Sequence, residues 1–535
     1  MTVKNVAQAV AEELSNAGVD RVFGLPGGEV LFLIEALRQQ GISFDLWRHE
    51  ANAGLAAAVY GKIKGVPGVV LTTLGPGAAN LMLPLSNSLL DREPLLAISA
   101  QLPASLPASH THQRLPLLEA YKPVTKFADE LNGFTVRRTL RQALETSLRE
   151  PAGPSYVTLS AEEALKPSYE TLAGTDQTRR MLDVDVEAVA QTLRQRLAQA
   201  DHPLVVIGIG APVRVAAALR RWLDAWGLPV AVTPKIKGIV DETADNFVGV
   251  VGGMAIDNAL MEAINEADLI VGFGLDPVEI DKQWHTQRPI LWVLDAPLTM
   301  NVVPNDNLLV ADYEALLACL GDSASPQSWP PSFEAVRRRR ADIYTQAQQT
   351  SGKLTENPVA IVAALEKALP PETIVTTDVG SHKYIFGQFW KSRHPATFFM
   401  SNGLSGMGYG LSAAVGAKLA RPDVPVLAAI GDGGFSMNSQ ELETLQRLGA
   451  PVIVVVLVDQ SLSLIQISQE NKKLPRYGVD FGTIDTVRMA EACGVEGVRV
   501  ETQAELTQVV RDAATRNQAL VVEAPVDVAN YRGLI

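Results

Sequence analysis

The sequence predicts an α/β protein built from three doubly wound parallel-sheet domains, and three observations predict it. Short saturated apolar runs alternate with helical patterns along most of the chain, as in parallel strands covered on both faces. The alternation breaks twice, at the polar stretch "LAGTDQTRRMLDVD" (172–185) and the Ser/Pro-rich "GDSASPQSWPPS" (321–332). A length of 535 residues exceeds what one core organises. The expected units are 1–170, 184–322 and 355–535.

In order along the chain, "VAQAVAEELSNAG" sets Val6, Val10 and Leu14 on one helical face and stops at Gly18. "DRVFGL" reads as a strand, "GEVLFLIEALRQQG" as a helix and "FDLWRH" as a strand. "EANAGLAAAVYGKIKG" is a helix of small residues, "GVVLTTL" a strand, "ANLMLPLSNSLLD" a helix and "PLLAISA" a strand. The second unit shows strands "PLVVIGIG", "PVAVTP", "LIVGFG" and "ILWVLD". The third resumes with "TIVTTDVG", "GLSGMGYGLSAAVGAKLA", "PVLAAIGDG", "SQELETLQRLG" and "PVIVVVLVD". Arg337 to Arg340 read as a solvated helix face.

Composition narrows the function. A formal charge of −13 argues against a nucleic-acid partner, because phosphate backbones need basic surface. Apolar runs such as "PVIVVVLV" are too short for a bilayer, and the acid-bearing first segment does not read as a signal peptide. Cys319 and Cys493 lie far apart, read as packing residues and suit a reducing cytoplasm.

Chemistry concentrates near the C-terminus. Asp432, in the turn Gly431–Gly434, and Asp459, 27 positions later, each follow a buried strand. Ligands of open parallel sheets sit beyond the carboxyl ends of the strands. Two carboxylates there suit a hard cation such as Mg²⁺. Gly431, Gly433 and Gly434 let the backbone approach an anion, and the following helix offers N–H groups. A lone Gly-Asp-Gly is commonly a turn with a helix-capping aspartate; the second acid tips the reading towards a diphosphate held through a metal.

On these residues the chain resembles the thiamine diphosphate enzymes, and most closely the acetolactate synthase (acetohydroxyacid synthase) large subunits. The resemblance covers nearly the whole length, is strongest over 18–100 and 375–460, and labels the units as pyrimidine-binding, central and diphosphate-binding. It implies a metal site of Asp432, Asp459 and the Ser461 carbonyl, with Asp rather than Asn at 459 as in the catabolic type. Glu50, in "LWRHEANAGLAAAVYG", matches the glutamate that hydrogen-bonds the aminopyrimidine ring, and its small apolar neighbours favour a poorly solvated carboxyl. As a lone residue it would read as an acid at a helix N-terminus. Gly27 matches the glycine beside the reacting centre, and Gln113 the glutamine that contacts bound intermediates; His112 stands where many members have phenylalanine. Thr73, Pro76, Gly77 and Asn80 fall in the Thr/Ser-Gly-Pro-Gly turn and its helix. Val379, Gly380, Ser381 and His382 match the turn near the diphosphate, with Ser405, Leu462 and Met407, the last as the wedge that bends the cofactor.

The implied activity is thiamine diphosphate- and Mg²⁺-dependent decarboxylation of a 2-oxo acid, pyruvate first, followed by carboligation to a second carbonyl compound. The implied assembly is a homodimer or homotetramer with its site between subunits. Ser468 replaces a tryptophan associated with larger acceptors, and Glu162, in "TLSAEEALKP", falls where a lysine is expected. These departures keep open a 2-oxo acid decarboxylase that releases an aldehyde. A silent cofactor-binding protein is opposed by the intact Glu50, and a nicotinamide dehydrogenase by the lack of a full Gly-x-Gly-x-x-Gly. "GIGAP" and "GFGLDP" are weak nucleotide signals, more often strand-end turns, so FAD stays open.

Overall fold

The computed structural model describes residues 3–107, 109–169, 184–252, 258–279, 286, 288–296, 307–321 and 329–535. Most of the two expected linkers, 172–183 and 322–328, lies outside the described residues.

Three six-stranded sheets, all parallel, carry the chain. The N-terminal sheet holds β1 (Arg21–Leu25), β2 (Ser43–Leu46), β3 (Gly68–Thr72), β4 (Leu95–Gln101), β5 (Phe127–Glu130) and β6 (Pro154–Ser160), in the order β2-β1-β3-β4-β6-β5. The central sheet holds β7 (Pro203–Ile207), β8 (Val230–Val232), β9 (Phe247–Val250), β10 (Leu269–Phe273), β11 (Ile290–Leu294) and β12 (Leu308–Val310), ordered β12-β11-β10-β7-β8-β9. The C-terminal sheet holds β13 (Ile374–Thr377), β14 (Phe398–Met400), β15 (Val426–Gly431), β16 (Ile453–Val458), β17 (Glu496–Arg499) and β18 (Leu520–Pro525), ordered β14-β13-β15-β16-β18-β17. The outer two sheets therefore share one strand order. The order in which strands are added reverses between β1 and β3 and between β13 and β15, which places a ligand crevice at each.

One hydrophobic cluster runs from β3 and the helix Glu50–Lys64 into the helix Tyr409–Ala420 and β15–β16. The small residues of "EANAGLAAAVYG" thus serve a helix buried on all sides. A Cβ on Gly416 would overlap the Ala56 carbonyl oxygen, so the two helices meet backbone to side-chain-free backbone.

Two elements differ from the sequence reading. The strand at "FDLWRH" ends at Leu46, because His49 instead caps the Glu50 helix, its Nδ1 accepting the Ala51 N–H at 3.1 Å. The helix expected over 79–91 is split into Pro76–Ala79 and Met82–Leu90. Pro84 has no N–H to donate to the Asn80 carbonyl, so the first turn cannot run on. Arg338 and Arg339 are exposed as a solvated face requires, whereas Arg340 donates to the Gln388 carbonyl at 2.6 Å.

Candidate active site

The C-terminal cluster is built around the β13/β15 crevice. Asp378, directly after β13, is its hub. Its Oδ1 accepts the N–H groups of Val379 (2.8 Å) and Tyr409 (3.3 Å), and the Gly408 N–H reaches both oxygens at 2.9 Å. A Cβ on Gly434 would overlap Asp378 Oδ2, which explains the second glycine after Asp432. Burial pushes the Asp378 carboxyl up to about 6 despite these N–H donors.

Asp432 is 4% exposed and starts the helix Asp432–Asn438. Its Oδ1 accepts the Gly433 N–H at 2.9 Å and its Oδ2 the Gln460 N–H at 2.8 Å, so the first acid is tied to the end of β16. Asp459 Oδ1 accepts the Ser461 N–H at 3.0 Å. Burial pushes Asp459 up to about 6; a Ser463 hydrogen bond opposes this and the Asp432 charge adds to it. Burial also raises Asp432. Ser381 and Ser463 share a hydrogen bond of 2.8 Å, joining the turn after β13 to the Asp459 side.

His382 lies against both glycine turns, its Nδ1 2.9 Å from the Cβ position of Gly380 and 3.3 Å from that of Gly431. Burial holds its pKa down at about 3, so the ring is neutral. Its Nε2 is buried without a hydrogen-bond partner, a vacancy that a polar ligand would fill. Met407 Cε, Leu462 Cδ2 and Phe481 Cζ stand 3.4, 3.5 and 3.7 Å from the Cβ position of Gly433, an apolar wall beside the anion-favouring turn. Ser461 is buried, and Leu462 donates its N–H to the Val479 carbonyl at 2.8 Å. Ser405 is exposed, has a left-handed φ of 56° and donates to the Asn402 carbonyl at 2.9 Å.

The N-terminal cluster borders the β1/β3 crevice. Glu50 is the first residue of its helix and 6% exposed. Its Oε2 accepts the Asn80 amide at 2.9 Å, and its Oε1 lies 3.2 Å from the Cβ position of Gly77. Thr73 donates to Glu29 Oε2 at 2.6 Å, and that oxygen lies 3.1 Å from the Cβ position of Gly27. Gln113 has φ 56° and lays its amide against Gly75, Nε2 3.0 Å from the Cβ position. Glu50, Gly77, Asn80, Gly27, Thr73 and Gln113 therefore gather around one turn, while His112 and Pro76 are exposed at its rim.

The two clusters approach through the helix Met82–Leu90: Leu83 Cδ1 is 3.2 Å from the Cβ position of Gly406, next to Met407. Sequence reading missed Glu29, Asp378, Glu441 and Phe481. Asp378 stood within the quoted "TIVTTDVG". Glu441 accepts from the Asn52 amide at 2.9 Å and the Arg48 N–H at 3.4 Å, bracketing Glu50, and no local pattern announces a pairing across 389 positions.

The central turns are used differently. Gly210 donates to the Gly274 carbonyl at 2.8 Å and Gly208 to the Phe273 carbonyl at 3.0 Å. Glu279, which burial pushes up to about 7, accepts the Ile209 N–H at 2.8 Å and the Thr233 hydroxyl at 2.5 Å. The glycines serve each other, and the N–H that a dinucleotide phosphate would use is taken. These residues do not fit such a phosphate.

A glycine turn with two carboxylates in one parallel sheet, and a buried acid in a second sheet of the same topology, are features of a two-domain cofactor enzyme. The chain belongs to the thiamine pyrophosphate enzyme family. The family's N-terminal TPP binding domain matches residues 4–120, its central domain 190–320 and its C-terminal TPP binding domain 378–524. The acetolactate synthase isozyme 2 large subunit of Escherichia coli (strain K12) is 31% identical over 93% of this chain and 91% of its own. The acetolactate synthase of Bacillus subtilis (strain 168) is 27% identical over 98% and 93%, and the catabolic acetolactate synthase of Raoultella terrigena 28% over 97% and 95%. No helix among the described residues is long and apolar enough to cross a membrane.

The residues present fit the group that the family binds: the unpaired His382 Nε2, the glycine turn at 431–434 and the raised carboxylates Asp432 and Asp459 suit a diphosphate with a cation. Among the described residues no group of three or more His, Cys, Asp or Glu side chains is placed to hold a metal. Two carboxylates suffice where carbonyl and phosphate oxygens complete the shell of a hard cation.

Proposed function

We propose that this enzyme decarboxylates pyruvate with thiamine diphosphate and Mg²⁺ and joins the retained carbons to a second carbonyl compound, as an acetolactate synthase does. The observation that carries the reading is the Asp432–Asp459 pair, a buried and a half-buried carboxylate whose repulsion a cation relieves. Asp432, Asp459 and the Ser461 carbonyl would ligate Mg²⁺. Val379, Gly380, Ser381, His382 and the glycine turn at 431–434 would receive the diphosphate, with the Thr73–Asn80 turn of the N-terminal unit on the pyrimidine side.

When bound, thiamine diphosphate supplies a carbon nucleophile that adds to 2-oxo acids and takes up the electrons left when CO₂ departs. Glu50 holds and returns a proton at the pyrimidine ring, and Asn80 fixes the rotamer of its carboxyl from the other oxygen. Met407, Leu462 and Phe481 form an apolar wall that would exclude water beside the bound group, with Met407 as its wedge. Gly27, Gln113 and His112 border the space for the acceptor. The domain spans are 1–170, 184–322 and 355–535, the site lies between two copies of a homodimer or homotetramer, and the protein works in the cytoplasm. Among the described residues of the central unit, the Gly208–Gly210 and Gly274 turns offer no free N–H to a flavin phosphate.

One observation favours a second product. Ser468, on the helix Ser463–Asn471, offers no large side chain towards an acceptor, so protonation to a free aldehyde is the competing outcome. Product analysis with pyruvate alone and with added aldehydes or ketones decides: acetolactate supports the first reading, and aldehyde as sole product the second.

A further inference from the structure

Between the Met82–Leu90 helix and β4, the turn Asp91–Arg92–Glu93 sends three adjacent charges in different directions. Arg92 has a left-handed φ of 52°, uncommon for a residue with a Cβ, and reaches Asp276 of the central unit at 2.7 Å. Asp91 Oδ1 accepts the N–H groups of Gly403 (2.8 Å) and Asn402 (3.2 Å). Glu93 Oε1 accepts the Tyr409 hydroxyl and the Lys235 ammonium, both at 3.1 Å, and its Oε2 the Asn87 amide at 3.4 Å. Lys235 comes from the central unit, lies 3.4 Å from Asp91 Oδ2 and donates to the Met400 carbonyl at 2.7 Å. Ser401 donates to Asn87 Oδ1 at 2.6 Å, and its own oxygen accepts the Gly406 N–H at 2.9 Å. Lys62, on the Glu50 helix, donates to the Arg92 carbonyl at 3.4 Å. The side chains of Asp91, Glu93 and Lys235 are at most 2% exposed.

These bonds converge on "MSNGLSGMGY", residues 400–409. With glycines at 403, 406 and 408 the segment has a large conformational entropy to lose and little of its own to fix it. A buried ionic network adds little net stability over apolar residues of the same shape. Fixing the register of this segment is a use that such residues could not serve. Resting on the cofactor reading above, we infer that Asp91, Glu93 and Lys235 are positioning residues that lock the 400–409 segment, and so Met407, to the same helix whose other end follows Asn80 and Glu50. The helix Met82–Leu90 then fixes Met407 against its own N-terminal unit; with the site between two copies, this Met407 and this Glu50 serve different cofactors.

The test uses the full-length protein in two forms, Asp91→Asn and the pair Glu93→Gln with Lys235→Met, which keeps the net buried charge and leaves Asp91 only its N–H donors from Asn402 and Gly403. In the cofactor-free protein, amide hydrogen exchange of the 400–409 peptide accelerates about tenfold or more in both forms, while β16 stays protected. In the loaded protein, exchange of the thiazolium C2 proton with deuterium, read by NMR, slows about tenfold or more. Arg92→Ala, which removes the ion pair to Asp276 and the bond to the Leu89 carbonyl but none of the contacts to 400–409, leaves both rates near wild type. Unchanged protection at 400–409 overturns the inference, as does lost protection with an unchanged C2 exchange rate, or global unfolding of both forms. A wild-type protein that shows no C2 exchange contradicts the cofactor reading instead, and the locking of the segment is then judged on amide protection alone.

Discussion

Glu50 and Asp459 are the residues at which the account is most exposed. Glu50→Gln keeps the shape and the Asn80 contact but not the proton, so turnover should fall by about 10²–10⁴ with no loss in thermal midpoint. Asp459 makes an opposite kind of prediction. Its folded pKa, about 6, stands above the ordinary 3.8. The metal-free fold therefore binds more protons than the unfolded chain between those values and loses stability as pH rises through that window. Above it, Asp459→Asn should stabilise the metal-free protein by about 2 kcal/mol in urea unfolding with EDTA at pH 8, and should abolish the gain that Mg²⁺ with thiamine diphosphate gives the wild type. Asp432 and Asp459 were legible because each follows a saturated apolar strand, and Glu50 through the resemblance its motif carries. Asp378 and Phe481 were not, because what marks them is a contact: Asp378 with Gly408 and Gly434, Phe481 with Met407 over Gly433.

Between elements, the most informative joint is the crossing of the helices Glu50–Lys64 and Tyr409–Ala420. Gly416→Val forces a side chain into the Ala56 carbonyl and should cost about 1–3 kcal/mol or more, read as a lower thermal midpoint. Because the same helix carries Glu50, turnover of the folded fraction should fall as well. Strand existence was legible where the apolar run was long and saturated; β6, β9, β14 and β18 went unread although buried, and β5, β12 and β17 have exposed or half-buried patterns that lack that signature. The break before Met82 was written in Pro84, but its meaning depends on Asn80 turning to Glu50.

For the whole molecule, the shared strand order of the outer sheets is invisible in the sequence, since topology is kept by packing rather than by any repeated run of residues. The central unit carried Gly-x-Gly runs that left flavin open; the packing of Gly208, Gly210 and Gly274 on one another and the closure by Glu279 lead to the prediction that purified protein shows no flavin absorption and that added FAD leaves its fluorescence unchanged. If the site joins two copies, mixing inactive Glu50→Gln and Asp432→Ala proteins should restore about a quarter of wild-type activity by forming mixed dimers with one intact site. The most direct test of the central claim is incubation of the protein with pyruvate, Mg²⁺ and thiamine diphosphate, following CO₂ and product together. The account predicts CO₂ release coupled to acetolactate and lost in Glu50→Gln; no CO₂ from pyruvate or any other 2-oxo acid, or release unaffected by that substitution, would contradict it.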